Sequence, residues 1–169
     1  MIYLGAVVRK RQVHYLKHDL IHNEAQWLQR VAEHDPRGHF PRLRRLNIRH
    51  RWLEATHCGD HMASAPPDWL EQCLEILVSL RRAGCSHRDI RPGNLLASGG
   101  VIRLIDFGWS CPIGLEEASP YDPGLGESWR IGGRFDDAVS LEASMLSVMD
   151  PRWSRRAPPA SAIKRIFAS

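Results

Sequence analysis

A tight β-hairpin near the middle of the chain is the feature that most constrains the fold. Two short apolar segments, residues 94–97 and 101–105, flank a turn at residues 98–100 with the sequence SGG. Glycine supplies the positive φ angles that such a turn requires. Because Asn94 begins the first strand and Asp106 follows the second, both side chains are expected at the same open end. The hairpin therefore predicts one shared polar cleft.

A helix is predicted immediately before this hairpin. Asp68 follows two prolines, and Glu71 lies three residues later, as in a capping box. Gly84 closes the segment in the position typical of a helix C-terminus. Apolar residues recur at helical spacing along one side of the segment, which indicates a helix packed on the core.

The front of the chain predicts strands, a helix and a second group of strands. Residues 3–17 alternate loosely, which favours two short strands around a turn at 9–12. Asn23 resembles a helix cap, and the helix is expected to end near residues 35–38. Residues 39–64 are expected to hold a strand pair and a connector.

The back of the chain is expected to contain an ordered loop region and one more helix. Residues 107–135 are rich in glycine, proline and serine, which is typical of loops. A last helix is predicted from Asp136 or Asp137 to about Met149. The tail after Pro151 shows little pattern.

Length and composition indicate one globular domain. The chain has 169 residues, of which 43% are hydrophobic and 25% charged. It contains no apolar run of about 18 residues and no N-terminal pattern of a signal peptide, so a cytoplasmic location is expected. The four cysteines form no CxxC pair, which favours reduced thiols over a metal or disulfide framework.

The positive charge of the chain is concentrated in its front half. Residues 1–57 hold 11 Lys/Arg and 5 Asp/Glu, a net charge of +6. Residues 58–169 hold 12 Lys/Arg and 14 Asp/Glu, a net charge of −2, and the two parts sum to the overall +4. Such a basic region attracts nucleic acid, acidic lipid or a polyphosphate, or forms a solvated surface. Charge alone leaves these alternatives open.

The residues at the open end of the hairpin suggest phosphoryl transfer. Asp89 lies five residues before Asn94, which brings it into the same cleft as Asp106, with Arg88 and Arg91 beside it. Carboxylate and amide oxygens suit Mg²⁺, which takes few protein ligands. Arginines can offset the charge of a transferring phosphoryl group, and Asp89 can accept a proton from an attacking hydroxyl.

Two motifs in this cleft resemble those of the protein-kinase superfamily. Residues 87–94 read HRDIRPGN and resemble the catalytic loop HRDxxxxN, and residues 106–108 read DFG, twelve residues after Asn94. Residues 137–141, DAVSL, resemble the start of the large C-lobe helix, where the family's Asp bonds the catalytic loop. The family also packs the histidine of HRD against the DFG motif.

The front of the chain resembles the lysine and glutamate pair of the same superfamily. The resemblance implies that Lys17 contacts the nucleotide phosphates and that Glu24 holds this lysine in place. Lys10, which lies further from Glu24 along the chain, is one alternative to Lys17; the other is that neither has this role and both are ordinary surface lysines. The hinge that receives adenine would lie near residues 52–55, in a register that the sequence does not fix.

The resemblance implies an α+β, two-lobed, protein-kinase-like fold with a reduced N-lobe sheet and a shortened, mainly helical C-lobe. Residues 1–169 would form a single kinase-like domain, with an N-lobe of about 1–56 and a C-lobe of 57–169. The implied cofactors are ATP and Mg²⁺. The resemblance implies that Asp89 is the catalytic base and that Arg91 is the cation that offsets negative charge. Lys17 would contact the phosphates, with Glu24 as its partner. Asn94 and Asp106 would be the two metal ligands.

Some of the superfamily's features differ here. No GxGxxG loop precedes Lys17, and Arg91 stands where Ser/Thr kinases carry lysine. Residues 133–137, GRFDD, with PYDP before them at residues 120–123, resemble compact bacterial lipopolysaccharide or sugar-chain kinases and RIO-type kinases more than signalling kinases. The expected acceptor is therefore a hydroxyl on a saccharide, a glycolipid or a protein, with peripheral contact to an acidic membrane surface and no nucleic-acid partner. The alternative is a weakly active pseudokinase that serves as a binding or scaffold module.

Overall fold

The computed structural model describes residues 2–4, 6–12, 19–116, 128–152 and 161–168. Within these residues the chain combines helices with small antiparallel sheets, as expected for an α+β protein. No helix in the described ranges is both long and apolar enough to cross a membrane.

The first four strands form an antiparallel sheet, here called the front sheet, in the order β1-β2-β4-β3. Its strands are β1 (Ile2–Leu4), β2 (Val7–Arg11), β3 (Leu43–Asn47) and β4 (Trp52–Thr56). The predicted turn at residues 9–12 is wrong, since residues 9–11 belong to β2. Successive side chains of a strand point to opposite faces, so a run of three cations can enter a strand and divide between its two sides.

Helix α1 (Leu20–Ala32) begins earlier than the sequence predicts. Asp19 is its N-cap and accepts a hydrogen bond from the backbone N–H of His22 at 3.1 Å. Asn23 therefore lies inside the helix, and the prediction that it caps the helix is wrong. Its side chain makes tertiary hydrogen bonds, which no local pattern reveals.

The helix and hairpin in the middle of the chain are confirmed. The elements are β5 (Asp60–His61), α2 (Trp69–Arg82), β6 (Cys85–Ser86), β7 (Leu95–Ser98) and β8 (Val101–Leu104). Gly99 and Gly100 have φ angles of 57° and 76°, so both use the conformation that the turn requires. Asp68 is the N-cap of α2, but its carboxylate bonds Arg37 and Gln72 instead of closing a capping box.

The last elements are β9 (Cys111–Pro112), β10 (Arg130–Ile131), β11 (Arg134–Phe135), α3 (Asp137–Met149) and α4 (Ala162–Ala168). The bounds predicted for α3 are confirmed. Helix α4 has no counterpart in the sequence-based prediction. Its cap is Glu142 of α3, whose carboxylate accepts hydrogen bonds from Ser161 Oγ and from the N–H groups of Ala162 and Ile163.

One hydrophobic core joins the front sheet, the hairpin and the helices. Fully buried residues from each element meet there, including Leu28, Leu53, Ile76, Leu104 and Leu141. The four cysteines are buried and form no disulfide. The core fixes the open end of the hairpin against β2 and α1.

Candidate active site

A cavity of about 240 Å³ lies between the front sheet and the open end of the β7–β8 hairpin. Apolar side chains form its walls, among them Val8, Leu53 and Leu96. Ionisable and amide groups gather at one end, namely Lys10, Glu24, Asn94 and Asp106. Residues 56–61, from the end of β4 through β5, complete the lining together with Leu53 and Ala55.

Lys10 of β2 brings the acidic residues of the cavity together. Its Nζ lies 2.8 Å from Glu24 Oε2 of α1 and also bonds Asp106 Oδ1. Lys10 points into the cavity because it pairs with buried Leu53 across the sheet and shares that face. Lys17 lies outside the described residues, and the contacts with Glu24 and Asp106 belong to the alternative lysine.

The charges of this cluster set its protonation state. Burial acts to lower the pKa of Lys10, but the adjacent carboxylates outweigh it and raise that pKa. Burial acts to raise the pKa of Asp106, but the charge and hydrogen bond of Lys10 outweigh it and lower that pKa. Asp106 is therefore an anion at neutral pH, and Lys10 is a cation.

Asp106 takes a left-handed backbone conformation, with φ at 69°. The next residue, Phe107, is fully buried, and its ring packs edge-on against His87 at 4.6 Å and Phe40 at 5.5 Å between centroids. The contact with His87 confirms the packing that the resemblance implies. The turn thus directs Asp106 to the cavity while Phe107 anchors it in the core.

Two residues of α1 that the sequence analysis missed hold the segment after Asp106. Asn23 Nδ2 donates hydrogen bonds to the carbonyl oxygens of Gly108 and Ser110, both at 2.9 Å. Trp27 Nε1 donates to the Ser110 carbonyl at 3.1 Å. These contacts join parts of the chain that are far apart in sequence, and the helical spacing of Asn23 and Trp27 gives no sign of them.

The backbone of the loop that carries Asp89 is held by the side chain of Asp137, the first residue of α3. The Asp137 carboxylate accepts hydrogen bonds from the backbone N–H groups of His87 at 2.7 Å and Arg88 at 3.2 Å. These bonds confirm the supporting role that the resemblance implies. Burial raises the pKa of Asp137 to about 6 against the opposing effect of these hydrogen bonds.

Asp89 is linked to the cavity through Asn94. Asn94 Nδ2 donates to the Asp89 carbonyl at 2.8 Å and to Asp89 Oδ2 at 2.9 Å. Arg91 Nε lies 3.6 Å from the same carboxylate oxygen. The structure thus brings together Asp89, Arg91 and Asn94 on one side, and Glu24 and Asp106 on the other.

The donor atoms at this end of the cavity fit a hard cation. Both bonds of Asn94 to Asp89 use its nitrogen, so neither involves its Oδ1 atom. The Ile105 N–H donates to the Asn94 carbonyl at 3.0 Å, which ties Asn94 to the residue before Asp106. Among the described residues no group of three or more His, Cys, Asp or Glu could hold a metal ion. A pair of oxygen ligands suits Mg²⁺, which keeps water and phosphate oxygens in its shell.

Comparison with known proteins gives a short similarity to a kinase. No family model matches the chain. A stretch of 62 residues, 37% of the chain, is 34% identical to cyclin-dependent kinase F-4 of Oryza sativa subsp. japonica. That stretch spans 13% of the rice protein's length. The similarity indicates a kinase-like relationship over part of the chain.

Proposed function

We propose that the chain is an ATP- and Mg²⁺-dependent phosphotransferase that moves the γ-phosphate to a hydroxyl acceptor. The observation that carries this proposal is the position of Lys10, whose ammonium group joins Glu24 and Asp106 at the polar end of a cavity with apolar walls. An apolar slot that ends in one cation, one carboxylate and one amide oxygen matches a nucleotide, which has an apolar base and a charged phosphate chain.

Each residue at the polar end of the cavity has a proposed role that follows from its chemistry. Lys10 would bind phosphate oxygens, and Glu24 would hold its ammonium group in position. Asn94 Oδ1 and the Asp106 carboxylate would be the protein ligands of Mg²⁺. When bound, Mg²⁺ offsets the negative charge of the phosphates. Positioning and charge stabilisation of this kind supply most of the catalysis in phosphoryl transfer.

Asp89 is the proposed catalytic base. Its carboxylate is nearly buried and is held by Asn94, so it can accept the proton of an attacking hydroxyl without changing position. Arg91, beside that carboxylate, would offset negative charge on the transferring group. The proposed acceptor is a hydroxyl on a saccharide, a glycolipid or a protein.

We further propose that the lobes divide near residue 56, where β4 leaves the front sheet. The smaller lobe would hold about residues 1–56, and the larger lobe residues 57–169. The cavity walls support this division because Val8 and Leu53 lie on the first side and Leu96 and Ile105 on the second.

Thermal-shift titration with ATP, with and without Mg²⁺, tests the proposal on the wild type and on Asp106→Ala. A ligand at about 100 times its Kd stabilises a protein by roughly 2.7 kcal/mol, which is a shift of several degrees for a chain of this size. We expect a Mg²⁺-dependent shift in the wild type that Asp106→Ala loses. Asp60→Ala is the matched control, because Asp60 lines the same cavity on β5.

Transfer of labelled γ-phosphate to saccharide and protein acceptors then tests turnover. Incorporation of label that Asp89→Asn abolishes would support the proposed base. No shift at millimolar ATP would overturn the proposal and favour a binding or scaffold module. A shift without transfer to any acceptor would also favour the scaffold.

A further inference from the structure

The two faces of the front sheet differ in character. Cross-strand pairs place Val8 opposite Ala55, and Lys10 opposite Leu53, on the face toward the cavity and the core. Residues one position away point to the other side of a strand. Arg9 and its partner Glu54 therefore lie on the outer face of the sheet.

The outer face is rich in arginine. Arg9 and Arg11 project from β2 and Arg45 from β3, with Trp52 and Glu54 of β4 between them; these five residues are called the arginine face. Glu54 is buried and bonds Arg9 Nε at 2.9 Å, with Arg45 Nε 3.8 Å away. One buried carboxylate against three arginines leaves the face with a net charge of +2. The Arg45 side chain is 75% exposed.

The β3–β4 turn extends this positive surface and adds an apolar tip. Ile48 is 55% exposed and is followed by exposed Arg49 and His50. A register shift between Leu43 and Arg45 introduces Arg44 as an additional exposed cation at the edge of the sheet. Among the described residues, neither Arg44 nor Arg49 forms an ion pair.

We propose that the arginine face and the β3–β4 turn bind the surface of a membrane that contains acidic phospholipids. An exposed aliphatic side chain surrounded by cations matches such an interface, where the side chain enters the acyl boundary and the cations contact headgroup phosphates. The surface fits nucleic acid less well because Arg9 lies over the Trp52 ring, 4.7 Å from its centroid, and covers the aromatic face that a base would stack on.

Binding by this surface leaves the cavity free. The arginine face and the cavity use opposite faces of the same sheet, so a membrane on one face does not cover the other. The inference goes beyond the proposed function and does not depend on it, since none of its residues belongs to the proposed catalytic or metal-binding groups.

Sedimentation with phospholipid vesicles tests this proposal on the full chain. The vesicles are phosphatidylcholine alone, or phosphatidylcholine with about a third phosphatidylglycerol. We expect retention by the acidic vesicles only, with a decrease as salt rises from about 0.1 M to about 0.5 M. Arg44→Gln with Arg49→Gln should weaken binding roughly 25-fold, because each cation near the surface contributes about a fivefold effect. Ile48→Ser should weaken it roughly tenfold.

The matched control is Arg82→Gln with Arg152→Gln, which removes the same charge outside the front sheet, on α2 and after α3. Thermal melts of all variants check that each is folded. Equal loss of binding in the control pair would overturn the proposal, because vesicle binding would then depend on the net charge of the chain and not on the position of the cations. Failure of the wild type to bind acidic vesicles would also overturn it, as would displacement from the vesicles by an equal charge concentration of single-stranded RNA.

Discussion

At the scale of single residues, the ammonium group of Lys10 is contacted by two carboxylates from distant parts of the chain. Glu24 belongs to α1, and Asp106 follows the β7–β8 hairpin. Because Lys10 is the cation of this cluster, its removal would leave two nearly adjacent carboxylates in a buried setting. Burial already raises the pKa of Glu24 against the opposing effect of Lys10, so without Lys10 Glu24 would take up a proton. Asp106, a proposed metal ligand, would lose the cation that holds it.

Lys10→Met is therefore expected to reduce phosphotransfer roughly 100-fold or more, as does loss of a charge-stabilising group in other active sites. Lys17→Met is the matched control and should change the rate by less than about threefold. Steady-state transfer of labelled phosphate at saturating Mg²⁺ measures both variants. A large loss with Lys17→Met and a small loss with Lys10→Met would reassign the phosphate contact to Lys17.

His87 gives a pH dependence to stability. Burial lowers the pKa of His87 to about 4 from the usual 6.5, and its Nδ1 accepts from the Asp89 N–H while Nε2 donates to the Ile105 carbonyl. A histidine with a lowered pKa stabilises the fold above the pKa of the unfolded state, and that contribution is lost as pH falls from 6.5 toward 4.

We expect this contribution to fall by about 2 kcal/mol between about pH 7 and about pH 5. His87→Phe should lack it, so the stability gap between the wild type and the variant should narrow on acidification. The raised pKa of Asp137, about 6, makes a contribution of opposite sign to the pH dependence of stability. Asp137 is present in both proteins, so this contribution cancels when the stabilities of the wild type and the variant are subtracted. Urea unfolding at both pH values measures the gap; an unchanged gap would contradict the prediction. The exposed His50, replaced by Phe, is the control.

At the scale of elements, the sequence predicts what depends on nearby residues. Helix α2, the β7–β8 hairpin and α3 are set by helical periodicity, paired glycines and a cap, all within a few residues of the elements that they define. The sequence misplaces the N-cap of α1 because Asn23 serves tertiary contacts with the Phe107–Ser110 segment. It gives no sign of helix α4 because the cap of that helix comes from Glu142, on the preceding helix.

Glu142→Ala should therefore destabilise the chain by about 1–2 kcal/mol, since it removes the acceptor for three donors at the start of α4. It should also release Ile163 from the core and expose the C-terminal segment to protease. Chemical unfolding and limited proteolysis measure both effects. The exposed Glu71→Ala is the matched control, and equal stability of the two variants would contradict this account of α4.

At the scale of the whole molecule, the sequence predicts the part of the site around the β7–β8 hairpin, but it does not predict the position of Lys10. Asp89, Asn94 and Asp106 are near one another in sequence, around a predicted hairpin, so their proximity in space follows from local structure. The position of Lys10 depends on β2 entering the front sheet beside β4, a pairing between strands on either side of α1 and β3. Three consecutive cations also resemble a solvent-exposed turn, whereas alternation along a strand turns Lys10 inward.

Gly59 joins the front sheet to the hairpin. It has φ at 98°, and a Cβ atom there would lie 2.2 Å from the Ala97 carbonyl oxygen of β7. Gly59→Ala must therefore separate these two parts of the molecule, and we expect a loss of roughly 3 kcal/mol or more. Gly100→Ala, at φ of 76° in open space, is the control and should cost about 1 kcal/mol. Thermal unfolding measures both, and equal losses would contradict the steric account.

The hydrogen bonds that the backbone N–H groups of His87 and Arg88 donate to the Asp137 carboxylate have a consequence during synthesis. The chain is made from its N-terminus, so the hairpin can form on the ribosome before the carboxylate that holds the preceding loop has been translated. At about 5–20 residues per second that delay lasts several seconds. Arg88, with φ at 67°, lacks its support throughout that interval. In the nascent chain the β7–β8 hairpin can therefore fold before the loop that precedes it, and this loop gains its two hydrogen bonds to Asp137 only as α3 emerges.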